Sequence, residues 1–183
     1  MKKIIFIAAS LVSFGFAANA QNATGTATQT VQLGLTNALE ITFTGSSSAT
    51  GATVALPFTT VNDYANGVES ASQQLKVRSN KNFSVTVKAN AANFTITTGG
   101  VTSASTMPVA GVLGLKVASN QAGGTIAGSF AEYAGLTSTA QNLLTNADKG
   151  GNQTFSVQYK ATPGFAYPAG TYATDVVYTA TQQ

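Results

Sequence analysis

Side chains able to do acid–base or metal chemistry are few in this chain. It contains six carboxylates, no histidine and no cysteine. Without imidazole or thiol groups, serine–histidine and cysteine–histidine catalysis and the usual zinc sites are excluded. A carboxylate pair, as in glycoside hydrolases, remains conceivable, and Asp63 with Glu69 is the pair nearest in sequence. Because Glu40 and Asp175 alternate onto solvated strand faces, we interpret the acids as surface residues and predict that the protein is not an enzyme.

The stretch NDYANGVE, residues 62–69, carries oxygen-bearing side chains at short spacing, as calcium-binding loops do. Its register differs from that of an EF-hand loop, since Asn62 and Tyr64 stand at acidic positions of that motif. No glycine-rich loop ends in Lys-Ser or Lys-Thr to hold a phosphate group. We therefore interpret residues 62–69 as a connecting loop and predict no metal site and no cofactor.

The first twenty residues have the form of a secretory signal peptide. Lys2 and Lys3 precede an apolar run from Ile4 to Phe16, and Ala18-Asn19-Ala20 supplies a small-x-small cleavage site. Cleavage after Ala20 leaves residues 21–183 as the mature chain, which we predict to be one domain. The protein is thus expected to pass through the periplasm and to be secreted or displayed at the cell surface.

Charge and composition of the mature chain exclude further classes of function. Loss of Lys2 and Lys3 leaves seven basic and six acidic residues, so the net charge falls from +3 to about +1. No basic stripe remains to neutralise a row of phosphates, which excludes nucleic acid as a partner. A second long apolar segment is also missing, so we predict no membrane span after signal cleavage. Because disulfides cannot form, a hydrophobic core must hold the fold.

Alternation of apolar and polar residues with period two predicts strands along most of the mature chain. The predicted strands comprise residues 31–35, 39–43, 54–58, 75–78, 83–88, 94–96, 113–117, 155–160 and 172–178. The pair around the SNKN turn, residues 79–82, predicts a β-hairpin with one buried and one solvated face. Residues 137–150 predict one short helix that begins at Thr137 or Ser138 and buries Leu143 and Leu144. The fold class is therefore all-β, a single antiparallel β-sandwich of about nine strands with at most one short helix.

Both ends of the mature chain carry a resemblance to a known family. It begins with the Thr- and Ala-rich lead QNATGTATQTVQLGL and closes with FSVQYKATPGFAYPAGTYATDVVYTATQQ, where Gly170-Thr171-Tyr172 feed an alternating last strand. This layout resembles secreted fimbrial-type β-sandwich subunits of Gram-negative bacteria. The nearest comparison is with spore-coat-U-like subunits of archaic chaperone–usher pili and related surface domains of unknown function. The resemblance implies an immunoglobulin- or pilin-like sandwich, self-assembly or other surface subunits as partners, and a periplasmic chaperone as a further candidate.

These observations favour a secreted structural protein, a fimbria-like subunit that assembles through β-strand pairing. In such assemblies a donor strand from one copy completes the sheet of the next. Val31, Leu33 and Leu35 fit that donor strand, but the sequence alone slightly favours the other interpretation, that they form the first strand of their own sandwich. A partner face is expected on the last strand at Gly170, Tyr172, Val176 and Tyr178.

The alternative function is that of a monomeric extracellular adhesin or carbohydrate-binding module. That interpretation predicts a surface patch of aromatic and amide side chains in loops, around residues 62–67 and 165–167.

Overall fold

The computed structural model describes residues 24–45 and 48–183. The chain divides into two compact units, Met1–Gly34 and Leu35–Gln183. In the first unit, the described residues 24–34 form no helix or strand and are solvent-exposed. Every helix and strand of the described chain lies in the second unit. None of the described helices is long and apolar enough to cross a membrane. The predicted signal peptide lies outside the described residues.

The second unit is built almost entirely from antiparallel strands, which confirms the predicted all-β fold, but the described chain has thirteen strands and not about nine. Its helical segments are one short α-helix, α1 (Val61–Asn66), and one 3₁₀ turn (Gly128–Ala131). The thirteen strands are β1 (Leu39–Phe43), β2 (Val68–Glu69), β3 (Gln73–Ser79), β4 (Phe83–Ala89), β5 (Asn93–Thr98), β6 (Val101–Pro108), β7 (Leu113–Asn120), β8 (Thr125–Ile126), β9 (Ala134–Gly135), β10 (Gln141–Ala147), β11 (Gly150–Ala161), β12 (Thr171–Ala173) and β13 (Val176–Gln182).

The strands form three sheets. A six-stranded sheet has the order β1-β3-β11-β7-β9, with β2 paired to the end of β11. A four-stranded sheet has the order β13-β4-β10-β8, and a three-stranded sheet has the order β12-β5-β6. In the described chain β1 and β13 are therefore edge strands of the two larger sheets, and β6 is an edge strand of the smallest.

One hydrophobic core joins the two larger sheets into a sandwich. Alternate residues of β4 are fully buried, as period two requires of a strand with one face on the core. Leu75 and Val77 of β3 and Phe155 of β11 enter the same core from the other sheet. Burial of a side chain of this size stabilises the fold by about 1.5–3 kcal/mol, so packing replaces the disulfides that the chain lacks.

Two of the predicted strands are not strands in the described chain. The segment 31–35 lies outside all three sheets, and the first strand begins at Leu39. The segment 54–58 keeps its alternation, since Val54, Leu56 and Phe58 are half-buried against the core and their neighbours are exposed. It pairs with no strand of the described chain. Period two reports which face of an extended chain is covered, and it does not require a hydrogen-bonded neighbour.

The predicted hairpin of residues 75–88 is also wrong. Strand β3 pairs with β1 and β11, whereas β4 pairs with β10 and β13 in the opposite sheet. The short connection around Asn80 thus crosses the core from one sheet to the other. Alternation fixes the buried face of each strand, and both hairpins and crossings satisfy it.

The helix predicted for residues 137–150 is replaced by strand β10. Its register on β4 shifts between Asn142 and Leu144 and again before Ala147. These irregularities turn two consecutive side chains, Leu143 and Leu144, into the core. A β-bulge adds residues to one strand and so breaks period two locally, which explains why the sequence resembles a helix there.

The only α-helix in the described residues is instead α1, in the stretch that was predicted to be a loop. Thr60 caps its N-terminus, because the Thr60 side chain accepts a bond from the Asp63 N–H and the Asp63 carboxylate accepts one from the Thr60 N–H. This reciprocal arrangement is a capping box, which stabilises the first turn of a helix. Gly67 ends the helix with a positive φ of 80°.

The predicted last strand is split in two. Strand β12 pairs with β5 in the small sheet, and β13 pairs with β4 in the four-stranded sheet. Residues 174–175 lie between the two strands and take the chain from one sheet to the other. The C-terminus is nevertheless held, since the Gln183 N–H donates to the Asn82 carbonyl.

Candidate functional site

The two larger sheets leave an apolar cleft between their edge strands β1 and β13. It has a volume of about 190 Å³ and no charged lining residue. Pockets for drug-sized ligands usually measure about 300–1,000 Å³, so this cleft suits individual side chains better than a whole small molecule. The lining residues are Ile41, Thr42, Phe43, Ala49, Leu75, Val176, Val177 and Tyr178.

Rings and hydroxyl groups fix the wall of the cleft. The Phe43 ring meets the Tyr178 ring edge-on, with centroids 6.2 Å apart. The Tyr178 hydroxyl lies 2.7 Å from that of Tyr159 on β11, so the two sheets share a hydrogen bond behind the cleft. Burial raises the pKa of Tyr178 well above its ordinary value, so the phenol stays neutral. The wall is lined mainly by apolar side chains, and the Tyr178 hydroxyl is already paired.

Polar side chains bridge the two sheets near the start of β1. The Gln182 side-chain nitrogen lies 2.8 Å from the Ala38 carbonyl and 3.0 Å from the Asn80 side-chain oxygen. Asn80 in turn donates to the Thr36 carbonyl and accepts from the Ala38 N–H. The chain that leads into β1 is therefore fixed from Thr36 onward.

The predicted assembly residues of the N-terminal segment are exposed. The exposed fractions of Val31, Leu33 and Leu35 are 75%, 76% and 87%, and none of the three lies in a strand. Large apolar side chains are seldom left this exposed at three alternate positions, and clustered exposed apolar residues usually mark interaction sites. Of the two interpretations that the sequence left open, the described chain does not form a first strand here.

The predicted residues of the C-terminal segment are divided between two places. Val176 and Tyr178 line the cleft. Tyr172 lies in β12 opposite Ile96 and donates its hydroxyl proton to the Pro168 carbonyl. Gly170 packs against β5 as well, since a Cβ at this position would lie 2.9 Å from the Ile96 side chain. The structure therefore brings two of the four residues together and places the other two in the small sheet.

The cleft also contains residues that the sequence did not identify as functional. Ile41 and Phe43 form its β1 side, although their alternation matched that of every other strand. Nothing local in LEITF marks an edge position, because strand order is a property of the whole sheet. The β1 side of the cleft can be recognised only when the pairing of all strands is known.

An aromatic cluster forms at the loops that the sequence associated with ligand binding. The ring of Tyr64 in α1 stacks on Phe165, with centroids 5.5 Å apart and planes 21° apart. The Phe58 ring also packs against Tyr64, with centroids 5.3 Å apart and planes tilted by 58°. Phe165 is 69% exposed, so much of its ring faces solvent. We call Phe58, Tyr64 and Phe165 the aromatic platform.

The candidate carboxylate pair is engaged in structural bonds. Hydrogen bonds from the Thr60 and Thr59 backbone lower the pKa of Asp63. Glu69 accepts from the Tyr133 hydroxyl and pairs with Lys160 at 3.2 Å, and both contacts lower its pKa. A general acid needs a raised pKa, and neither carboxyl has one.

A broader depression of about 770 Å³ lies where residues 37–40 enter the sheet. Glu40 and Arg78 form an exposed ion pair along it at 3.5 Å. Exposed pairs of this kind contribute about 0–1 kcal/mol, so the depression has no strong electrostatic feature. The described residues also contain no group of three acidic, histidine or cysteine side chains close enough to hold a metal ion.

In comparisons with known proteins, no family model and no curated protein matches the chain.

Proposed function

We propose that the protein is a secreted structural subunit that assembles by donating its N-terminal segment to the cleft of a second copy. The proposal rests on two features found together: a cleft lined mainly by apolar residues beside the edge strands β1 and β13, and three exposed apolar side chains in alternation. Exposed apolar side chains and an unpaired strand edge are each costly to leave in water. The N-terminal segment would fill the cleft, and the cleft would cover the apolar side chains of the segment.

The dimensions of the two parts agree. At about 3.3 Å per residue, Val31 to Leu35 span about 13 Å when extended. Strand β13 has seven residues and therefore offers an edge of about 20 Å. A donor strand paired with β13 would direct every second side chain into the cleft and the intervening Gln32 and Gly34 outward.

The two parts are also compatible in charge, because neither the N-terminal segment nor the lining of the cleft carries a charged side chain. Residues 21–36 contain no acidic or basic side chain, and the cleft lining contains none. Insertion would therefore desolvate no ion, and the free energy of apolar burial is not offset by the large penalty for burying a charge.

The decisive experiment compares the mature chain, residues 21–183, with a variant that lacks residues 21–36. Light scattering should show assembly of the mature chain and a monomer for the variant, with the β-sheet circular dichroism of both retained. A synthetic peptide of residues 21–38 should then bind the variant and raise its Tm, because a ligand specific for the folded state stabilises it. This peptide arm needs no assembly chaperone.

A peptide in which Leu33 and Gly34 are exchanged is the matched control, since it has the same composition but a disrupted alternation. A monodisperse mature chain together with a peptide that leaves the Tm unchanged would contradict the proposal. A deletion variant that unfolds would instead indicate that the segment is the first strand of its own sandwich.

The aromatic platform supports a second candidate function, carbohydrate binding by an adhesin. Stacked aromatic rings with one exposed face suit the apolar face of a sugar, and Asn62 and Asn66 of α1 are exposed nearby in sequence. Soluble oligomers of glucose and of N-acetylglucosamine should then perturb tyrosine fluorescence, and Phe165→Ala should abolish the change. Val61→Ala removes a similarly exposed apolar side chain and should leave it intact. An unchanged spectrum with both sugars would reject this function.

A further inference from the structure

Strand β6 presents a second open edge, separate from the cleft. In the described chain it pairs with β5 alone, and no strand lies on its other side. Val101, Thr102, Ser103 and Ala104 are all exposed, so both faces of this part of the strand are in solvent. The β5–β6 hairpin turns at Gly99 and Gly100, whose positive φ angles of 60° and 82° suit a tight two-residue turn.

The side-chain geometry shows which backbone groups are free at this edge. The hydroxyls of Thr97 and Thr102 lie 2.7 Å apart. Side chains come this close in a non-hydrogen-bonded pair of an antiparallel ladder. The backbone N–H and C=O of Thr102 therefore point away from β5, and with period two those of Ala104 do so as well.

Among the described residues, the edge of β6 lacks most of the features that keep other strands away. Natural proteins usually protect an open edge with charged side chains, a proline, or a very short strand. Strand β6 is eight residues long and contains no charge, and its one proline, Pro108, stands at its last position. The edge therefore has the composition of a pairing surface.

The sequence of β6 further indicates which strand would pair. Residues 102–106 read Thr-Ser-Ala-Ser-Thr, the same in both directions about Ala104. Two copies placed antiparallel about a two-fold axis at Ala104 would set Thr102 opposite Thr106 and Ser103 opposite Ser105, although the β5–β6 ladder itself is regular only up to Ala104. Cross-strand pairs of threonine and serine are favourable neighbours, and no like charges oppose each other.

We propose that β6 pairs with β6 of a second copy, antiparallel and about a two-fold axis through Ala104. The free N–H and C=O of Ala104 in each copy then bond to their counterparts in the other. This contact is isologous, because the same surface is used by both copies, and it closes after two chains. It uses none of the residues of the cleft and does not depend on strand donation.

Single cysteines test the contact, because the chain has none of its own. The mature chain with Leu33→Asp, which removes the donor contact, is given either Ala104→Cys or Val101→Cys. In the proposed pair the two residues at position 104 oppose each other at disulfide distance. The two at position 101 lie about 20 Å apart, six residue steps along the ladder. At a protein concentration of about 0.1 mM, disulfide dimers should form on the order of tenfold faster with Ala104→Cys than with Val101→Cys, because paired thiols meet at millimolar effective concentration.

Charge variants at the same position give an independent measurement. In the Leu33→Asp background, Ala104→Lys and Ala104→Glu should each be monomeric alone, since like charges directly opposite each other destabilise a strand pair. An equimolar mixture of the two should associate. Circular dichroism checks that these exposed substitutions leave the fold intact. Equal crosslinking rates at positions 101 and 104, or a mixture that stays monomeric, would overturn the two-fold pairing.

Discussion

Replacing Leu33 with aspartate separates assembly from folding. Leu33 is 76% exposed in the described chain and lies in no strand, so Leu33→Asp should change the free energy of unfolding by less than about 0.5 kcal/mol. In a donor strand the same side chain would be buried in the cleft. Losing that burial costs about 1.5–3 kcal/mol, and desolvating a carboxyl group there costs at least about 1–3 kcal/mol more. Each 1.4 kcal/mol is a factor of ten, so the affinity should fall about a hundredfold or more.

Sedimentation velocity over a range of concentrations measures the affinity, and urea denaturation measures the stability. Gln32→Asp is the matched control, because it adds the same charge one residue away on the face that points out of the cleft. It should assemble nearly as the unaltered chain does. If Leu33→Asp assembled as well as Gln32→Asp, the alternation of this segment would have no role in the contact and the donor-strand reasoning would be refuted.

Three further predictions concern the fold itself. Burial and the bond to Glu69 raise the pKa of Tyr133 from 10.0 to about 12, so the folded state holds this proton longer than the unfolded chain. Its stabilising effect is complete below pH 10 and is lost as the pH rises toward 12, so urea midpoints should fall less steeply over this range in Tyr133→Phe than in the unaltered chain. Thr60→Ala removes the cap of α1 and should lower the free energy of unfolding by about 1 kcal/mol in urea titrations. Leu144→Ala should lower it by about 2–5 kcal/mol, whereas the exposed Asn142→Ala on the same strand should have little effect; equal effects would contradict the assignment of β10.

Period two located most strands of the sandwich, because a strand with one covered face imposes that pattern on its own residues, but residues 31–35 and 54–58 alternate without forming strands. Strand β4 is the clearest case: every second residue from Phe83 to Ala89 is fully buried. Strand β6 escaped detection because both its faces are largely exposed and its residues are small and polar. A strand without a buried face leaves no alternation to find.

The partners of each strand were not predictable from the same pattern. The connection around Asn80 looked like a hairpin turn, yet it carries the chain across the core. Local sequence determines that a chain turns, whereas packing of both apolar faces determines where it goes next. The same limit applies to the cleft, whose β1 side is recognisable only once strand order is known.

The final strand shows how this limit affects a site. Alternation grouped Tyr172 with Val176 and Tyr178, but residues 174–175 pass from the small sheet to the four-stranded one. Val176 and Tyr178 therefore reach the cleft and Tyr172 does not. Period two holds along a strand only while the chain remains in one sheet.

The two proposed contacts, strand donation to the cleft and pairing of β6, differ in symmetry. This difference predicts the form of the assembled protein. Donation of the N-terminal segment to a cleft is heterologous, since each copy uses one surface to give and another to receive. Such contacts do not close on themselves unless the rotation happens to form a ring, and they generate filaments. Pairing of β6 is isologous and joins only two chains, so it would link one filament to another. Electron microscopy should therefore show single filaments for Ala104→Lys and short, unpolymerised dimers for Leu33→Asp. Bundled filaments in Ala104→Lys would mean that a surface other than β6 links them.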